Sequence, residues 1–202
     1  MVAPLKKKNT LEQTGFTLTE EGFTYKGISY HLNDVVEAKI FRHRLETKQI
    51  GIGSYFTHSI SVIFSMKTGE NVQLTEQPTF FSNSKLSKVE RIQEIFNVIS
   101  EKTFKNRLQK YLIQLENQGY FEYSGWHFDP EHSKIINTKT KRAYLINEVK
   151  LMKSYGFIEV VESNGIGSKI RRNIKGKVGI NTLGDGDVFF ALLKHLFGLS
   201  WR

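Results

Sequence analysis

The sequence predicts a mainly β protein with some helix, an α+β fold made of two small tandem β domains. Two observations carry that prediction. The chain nearly repeats itself: Ser59-Ile60-Ser61-Val62-Ile63-Phe64, a turn at Gly69, Thr79-Phe80-Phe81 and an amphipathic stretch return about 109 residues later. There they read Ser168-Lys169-Ile170-Arg171-Arg172-Asn173-Ile174, a turn at Gly176, then Val188-Phe189-Phe190 and an apolar helix. The tetrapeptide Gly-Ile-Gly-Ser also occurs twice, at 51–54 and 165–168. Each copy places its strands first and one helix last, the pattern of a repeated structural unit. The expected boundaries are a first domain over 14–104, a helical connector over 105–118 and a second domain over 119–202.

The elements of the first copy follow from periodicity. Residues 16–19, 23–25 and 28–32 alternate apolar and polar side chains around Gly22 and Gly27, as consecutive hairpin strands do. Residues 35–41 give a fourth strand, and 45–56, with Gly51 and Gly53, a mobile loop. A hairpin joins 59–66 to 71–74 through Lys67-Thr68-Gly69-Glu70. Ser84 then suits the N-cap of a helix carrying Leu86, Val89, Ile92, Phe96 and Ile99 at three- and four-residue spacing. Leu108, Tyr111, Leu112 and Leu115 resume that spacing after a break near Thr103, and Gly119 ends it.

In the second copy, 120–123, 125–128, 134–136, 144–146 and 157–161 read as strands, and two basic, alternating strands follow Gly165 and Gly167. Asp187 precedes an apolar helix over 188–199 whose face is Phe189, Leu192, Leu193 and Leu196. Phe190 and Phe197 widen that face, which suits packing on a sheet.

Composition limits the function classes. With 39% apolar residues and only 3 prolines in 202 residues, the chain can bury a core in each half. It has 0 cysteines, which excludes disulfides, thiol nucleophiles and thiolate metal sites. Lys6, Lys7 and Lys8 are followed by polar residues rather than an apolar run, so no signal peptide is visible and a cytoplasmic protein is expected. The net charge of +9 favours anionic partners: nucleic acid, an acidic lipid surface or an acidic protein.

Several short strands ending in one amphipathic helix, occurring twice, resemble bacterial tandem pleckstrin-homology-like proteins of unknown function. The residues that carry the resemblance are Gly22-Phe23-Thr24-Tyr25, Asp34-Val35-Val36, Tyr120-Phe121-Glu122-Tyr123, Gly156-Phe157-Ile158-Glu159-Val160 and Val188-Phe189-Phe190-Ala191-Leu192-Leu193. Tyr144-Leu145-Ile146 stands where that family often has a Trp. The resemblance implies two pleckstrin-homology-like barrels, each closed by its own C-terminal helix, and no catalytic signature.

Two basic clusters are the candidate anion- or lipid-binding sites. Lys39, Arg42 and Arg44 lie on one strand, where alternate arginines present paired guanidinium forks to a phosphate. Lys169, Arg171, Arg172, Lys175 and Lys177 form the second, near Gly165-Ile166-Gly167. The neighbours Ile170 and Ile174 are aliphatic rather than aromatic, which disfavours single-stranded nucleic acid. His127-Phe128-Asp129-Pro130-Glu131-His132 gathers two imidazoles and two carboxylates, and a hairpin turn accounts for it better than a metal does. No catalytic residue, metal or cofactor is assigned. The expected function is a non-catalytic binding or adaptor protein that docks a protein partner. The alternatives are a peripheral binder of anionic lipid and, last, an enzyme using 127–132.

Overall fold

The computed structural model describes residues 15–49, 53–76, 84–154, 157–162, 174–179 and 184–199. For 43–49, 53–58, 84–87, 150, 152–154, 157, 162, 174–177 and 179 it describes the backbone alone. The chain divides into two compact units, 1–106 and 107–202.

In the first unit, β1 (Phe16–Leu18), β2 (Gly22–Tyr25) and β3 (Ile28–His31) form an antiparallel meander. The β2–β3 turn needs positive φ at both central residues, and Lys26 and Gly27 supply it at 52° and 81°. A Cβ on Gly22 would collide with the carbonyl oxygen of Tyr30 across the ladder, so glycine alone fits there. A 3-10 turn, Leu32–Asp34, leads into a second meander of β4 (Val35–Gln49), β5 (Gly53–Met66) and β6 (Asn71–Glu76). A chain of ring contacts joins these sheets: Phe16 stacks 5.4 Å from Phe23, which meets Phe64 tilted at 5.9 Å, and Phe64 stacks 6.3 Å from Phe96 of the following helix. Each fully buried Phe contributes roughly 1.5–3 kcal/mol relative to exposure. Helix α1 (Ser84–Gln118) adds Ile92, Ile95 and Ile99 to this core.

In the second unit, β7 (Phe121–Tyr123), β8 (Trp126–Asp129), β9 (Lys134–Asn137) and β10 (Ala143–Leu145) make a four-stranded antiparallel sheet. A three-stranded sheet of β11 (Val149–Ser154), β12 (Phe157–Glu162) and β13 (Ile174–Gly179) follows, then helix α2 (Gly186–Phe197). Phe189 of α2 is fully buried, stacked 4.0 Å from Tyr123 and edge-on to Phe128 at 5.1 Å.

This architecture corrects the expectation of two tandem pleckstrin-homology-like barrels, each ending in its own helix and joined by a connector. Among the described residues the strands form four separate open sheets, and none closes on itself. There are two described helices, one long and one short, and α1 is continuous where a domain helix, a break and a connector were expected. The break near Thr103 is absent because that residue is buried and its hydroxyl donates to the Ile99 carbonyl at 2.7 Å. A threonine that satisfies its own polar atom on the preceding turn is compatible with an unbroken helix. One helix therefore serves both units, since the line between them falls inside it.

Three local expectations also change. The loop expected over 45–56 is largely strand: β4 and β5 stay paired out to Gln49 and Gly53, well past the last rung that β5 shares with β6. Thr47, Tyr55, Phe56 and Thr57 there are residues that favour extended backbone. The turn expected at Gly176 is a strand position opposite Val160, beside a register shift, and glycine inside a strand commonly marks such an irregularity. Strand β11 had no expected counterpart, because Val149-Lys150-Leu151-Met152-Lys153 breaks strict alternation.

Candidate functional site

The geometry that stands out is the open edge of β6. Met66 donates its N–H to the Glu70 carbonyl at 2.8 Å, and the register then pairs Ser65 with Asn71 through to Ile60 with Glu76 without a shift. Rungs of an antiparallel ladder alternate between hydrogen-bonded and non-bonded pairs. Counting from the bonded Met66–Glu70 rung, Val72, Leu74 and Glu76 turn their backbone groups toward β5. Asn71, Gln73 and Thr75 turn theirs away from the sheet. The same three residues have exposed side chains, whereas Val72 and Leu74 are buried. On the outer face, Gln73 Nε2 donates to Ser61 Oγ at 3.1 Å and to Thr75 Oγ1 at 3.0 Å, both exposed side-chain bonds.

Natural sheets protect such edges with lysine, proline, bulges or shortness. The other described edges have one of these. Strands β1, β7 and β10 are three residues long and β3 is four. The edge strand β4 has a register shift after Val35, followed by the Glu37–Lys39 ion pair at 2.8 Å. Strand β11 carries Lys150 and Lys153, and β13 carries Lys175, Lys177 and a bulge. Among the described edges of six residues or more, β6 alone has no lysine, proline or register shift, and no described strand pairs with its outer side.

The basic residues chosen from sequence are not brought into one site by the described residues. Lys39 is half-buried against Glu37, and it occupies the opposite strand face from Arg42. Arg42 is exposed, in register with Ile60, and Arg44 is in register with His58. On β13, Lys177 pairs in register with Glu159, a buried carboxylate, and Lys175 is the extra residue of the bulge. Lys6, Lys7, Lys8, Lys169, Arg171, Arg172 and the 165–167 glycine segment lie outside the described residues.

A third cationic group went unnoticed in the sequence. Lys139, Lys141 and Arg142 are exposed on the β9–β10 turn. Asn137 shapes that turn: its Oδ1 accepts from the N–H groups of Lys139 and Thr140 at 3.1 and 2.9 Å, and its carbonyl accepts from Lys141 at 2.8 Å. The backbone donors are thereby used internally, so any anion would meet the side chains. The Asn-Thr-Lys-Thr-Lys-Arg run between two strands was the available signal.

The histidine cluster separates into two pairs. His127 stacks on Tyr120 at 4.2 Å with Glu122 at 3.5 Å, while His132 Nδ1 lies 2.8 Å from Asp129 Oδ2. No three histidine or carboxylate groups among the described residues stand close enough to hold a metal ion.

The buried charge of the second unit was also missed. Arg107 on α1 has no exposed surface and places its two terminal nitrogens 2.7 and 2.6 Å from the carboxylate oxygens of Asp187, with Asp185 Oδ1 at 3.0 Å. The Asp187 and Asp185 carboxylates hold the Arg107 pKa above its ordinary value despite the opposing cost of burial. Tyr111 donates to Asp185 at 3.3 Å, and Tyr123 donates to the Gly184 carbonyl at 3.0 Å. The arrangement fastens the start of α2 to α1. The mutual pairing of these groups, with Arg107 and Asp185 fully buried, suits anchoring rather than catalysis.

No helix among the described residues is long and apolar enough to cross a membrane. No family model, curated protein or solved structure matches the chain. The pleckstrin-homology-like resemblance therefore rests on sequence pattern alone.

Proposed function

We propose that the protein is a non-catalytic docking protein, acting in the cytoplasm, whose first unit binds an extended segment of a partner protein by strand addition to β6. The observation that carries this reading is the outward row of Asn71, Gln73 and Thr75 on a regular edge with no lysine, proline or register shift. Main-chain bonds to such an edge supply affinity, and alternate side chains supply selectivity. Proline at position 73 removes an outward N–H without touching the ladder to β5. The test is affinity capture from an extract of the source cells, comparing wild type with Gln73→Pro and Thr75→Pro. Loss of the same captured protein with both variants, each folded by circular dichroism, supports the reading; undiminished capture refutes it.

The exposed Lys139, Lys141 and Arg142 favour a second reading, contact with an anionic membrane face. Each basic residue held near such a surface is worth about 1 kcal/mol. Co-sedimentation with anionic vesicles that weakens with salt, and weakens further in Lys139→Ala/Lys141→Ala/Arg142→Ala, would support it. Equal sedimentation with neutral vesicles, or none at low salt, would exclude it.

A further inference from the structure

The β6 edge also specifies the chemistry of its occupant. Residues at even positions share one face of the strand, so Val72, Leu74 and Glu76 form a row of two buried apolar side chains and a carboxylate, and the exposed Glu70, just before β6, adds a second carboxylate at the other end. Met66 N–H bonded to the Glu70 carbonyl keeps position 70 on the ladder. The Glu70 carboxylate is held in place by the Tyr30 hydroxyl, which donates to it at 2.8 Å from β3. Between the glutamates, Asn71, Gln73 and Thr75 are uncharged. Residues directly opposite on an added strand project from the same face, where opposite charges attract and like charges repel.

We infer that the β6 edge selects an extended segment of a partner protein with the pattern basic–x–apolar–x–apolar–x–basic, its cationic ends against Glu70 and Glu76. The inference rests on the strand-addition reading above and adds a charge rule to it. A second copy of this chain fits poorly as the occupant. Antiparallel self-pairing about Gln73 sets Glu70 of each copy against Glu76 of the other, two like-charge rungs in one short ladder.

The test uses the full chain and two labelled, end-blocked peptides, Lys-Thr-Val-Thr-Val-Thr-Lys and its Glu-ended counterpart, by fluorescence anisotropy. The Lys-ended peptide is expected to bind the wild type about tenfold or more tightly than the Glu-ended one, as two charged rungs change sign. Glu70→Lys/Glu76→Lys should reverse that preference, and Gln73→Pro should remove both. Equal binding of the two peptides, lost with Gln73→Pro, would overturn the charge rule and leave strand addition standing. Absent binding, or binding indifferent to Gln73→Pro, would overturn strand addition and the charge rule with it. Self-association of the wild type in sedimentation velocity, abolished by Gln73→Pro, would identify the occupant as a second copy and overturn the inference.

Discussion

A guanidinium with no exposed surface remains tolerable only when its donors and charge are answered, and at Arg107 the answer is Asp185 and Asp187. Removing one member of a buried pair leaves the other charged and unsolvated, which costs about 3–5 kcal/mol. Arg107→Met should therefore destabilise the protein by about that amount in urea unfolding, because Asp185 is fully buried. Asp187→Asn should cost far less, since its side chain is 39% exposed and water replaces part of the lost interaction. Similar losses for the two variants would contradict the anchoring role. Tyr30 offers a pH-dependent counterpart. Its bond to Glu70, with smaller contributions from burial and the carboxylate charge, raises its pKa. A group whose folded pKa is raised contributes stability that is complete below its unfolded pKa and fades as pH rises through the folded value. Ultraviolet absorbance titration should show Tyr30 ionising at higher pH in the wild type than in Glu70→Gln, read as the difference between the two titration curves. These residues were hidden in the sequence for a physical reason. Arg107 sits in a polar helical run, and only the fold brings Asp185 and Asp187 beside it.

At the scale of elements, β6 makes a prediction that alternation alone dictates. Gln73→Pro keeps every backbone bond to β5 and loses, on that strand, only the exposed side-chain bond to Ser61, whereas Leu74→Pro loses a backbone bond and a buried side chain as well. Gln73→Pro should unfold within about 1 kcal/mol of the wild type, and Leu74→Pro should lose more than about 3 kcal/mol, by chemical denaturation. Comparable losses would mean that the register is wrong. Strands over 23–25 and 71–74 were legible because period-two alternation and glycine punctuation mark them, though the observed strands begin at Gly22 and run on to Glu76. Helix α1 was legible in extent, through Leu86 to Leu115, but its continuity was not. The threonine at 103 looks like a breaker until its hydroxyl is seen bonded to Ile99. Glycines misled twice: Gly53 begins a strand and Gly176 lies within one, because cross-strand pairing outweighed local turn preference.

At the scale of the whole molecule, the sequence disclosed mainly β structure with helix but not how the strands close. Barrel closure depends on which edges meet, and no local pattern encodes that. The open sheets leave edges, and edges are where the functional proposal lies. The cationic excess falls mostly within 107–202, away in sequence from β6. Residues 107–202 thus hold the membrane-facing alternative, and β6 in the first unit holds the docking proposal. The central claim, that β6 presents unpaired backbone groups to a partner, can be tested on the free protein by amide hydrogen exchange resolved by NMR. Slow exchange is expected at Val72, Leu74 and Glu76 and fast exchange at Asn71, Gln73 and Thr75. Uniformly slow exchange along 71–76 would contradict it, because the outer edge would then already be paired.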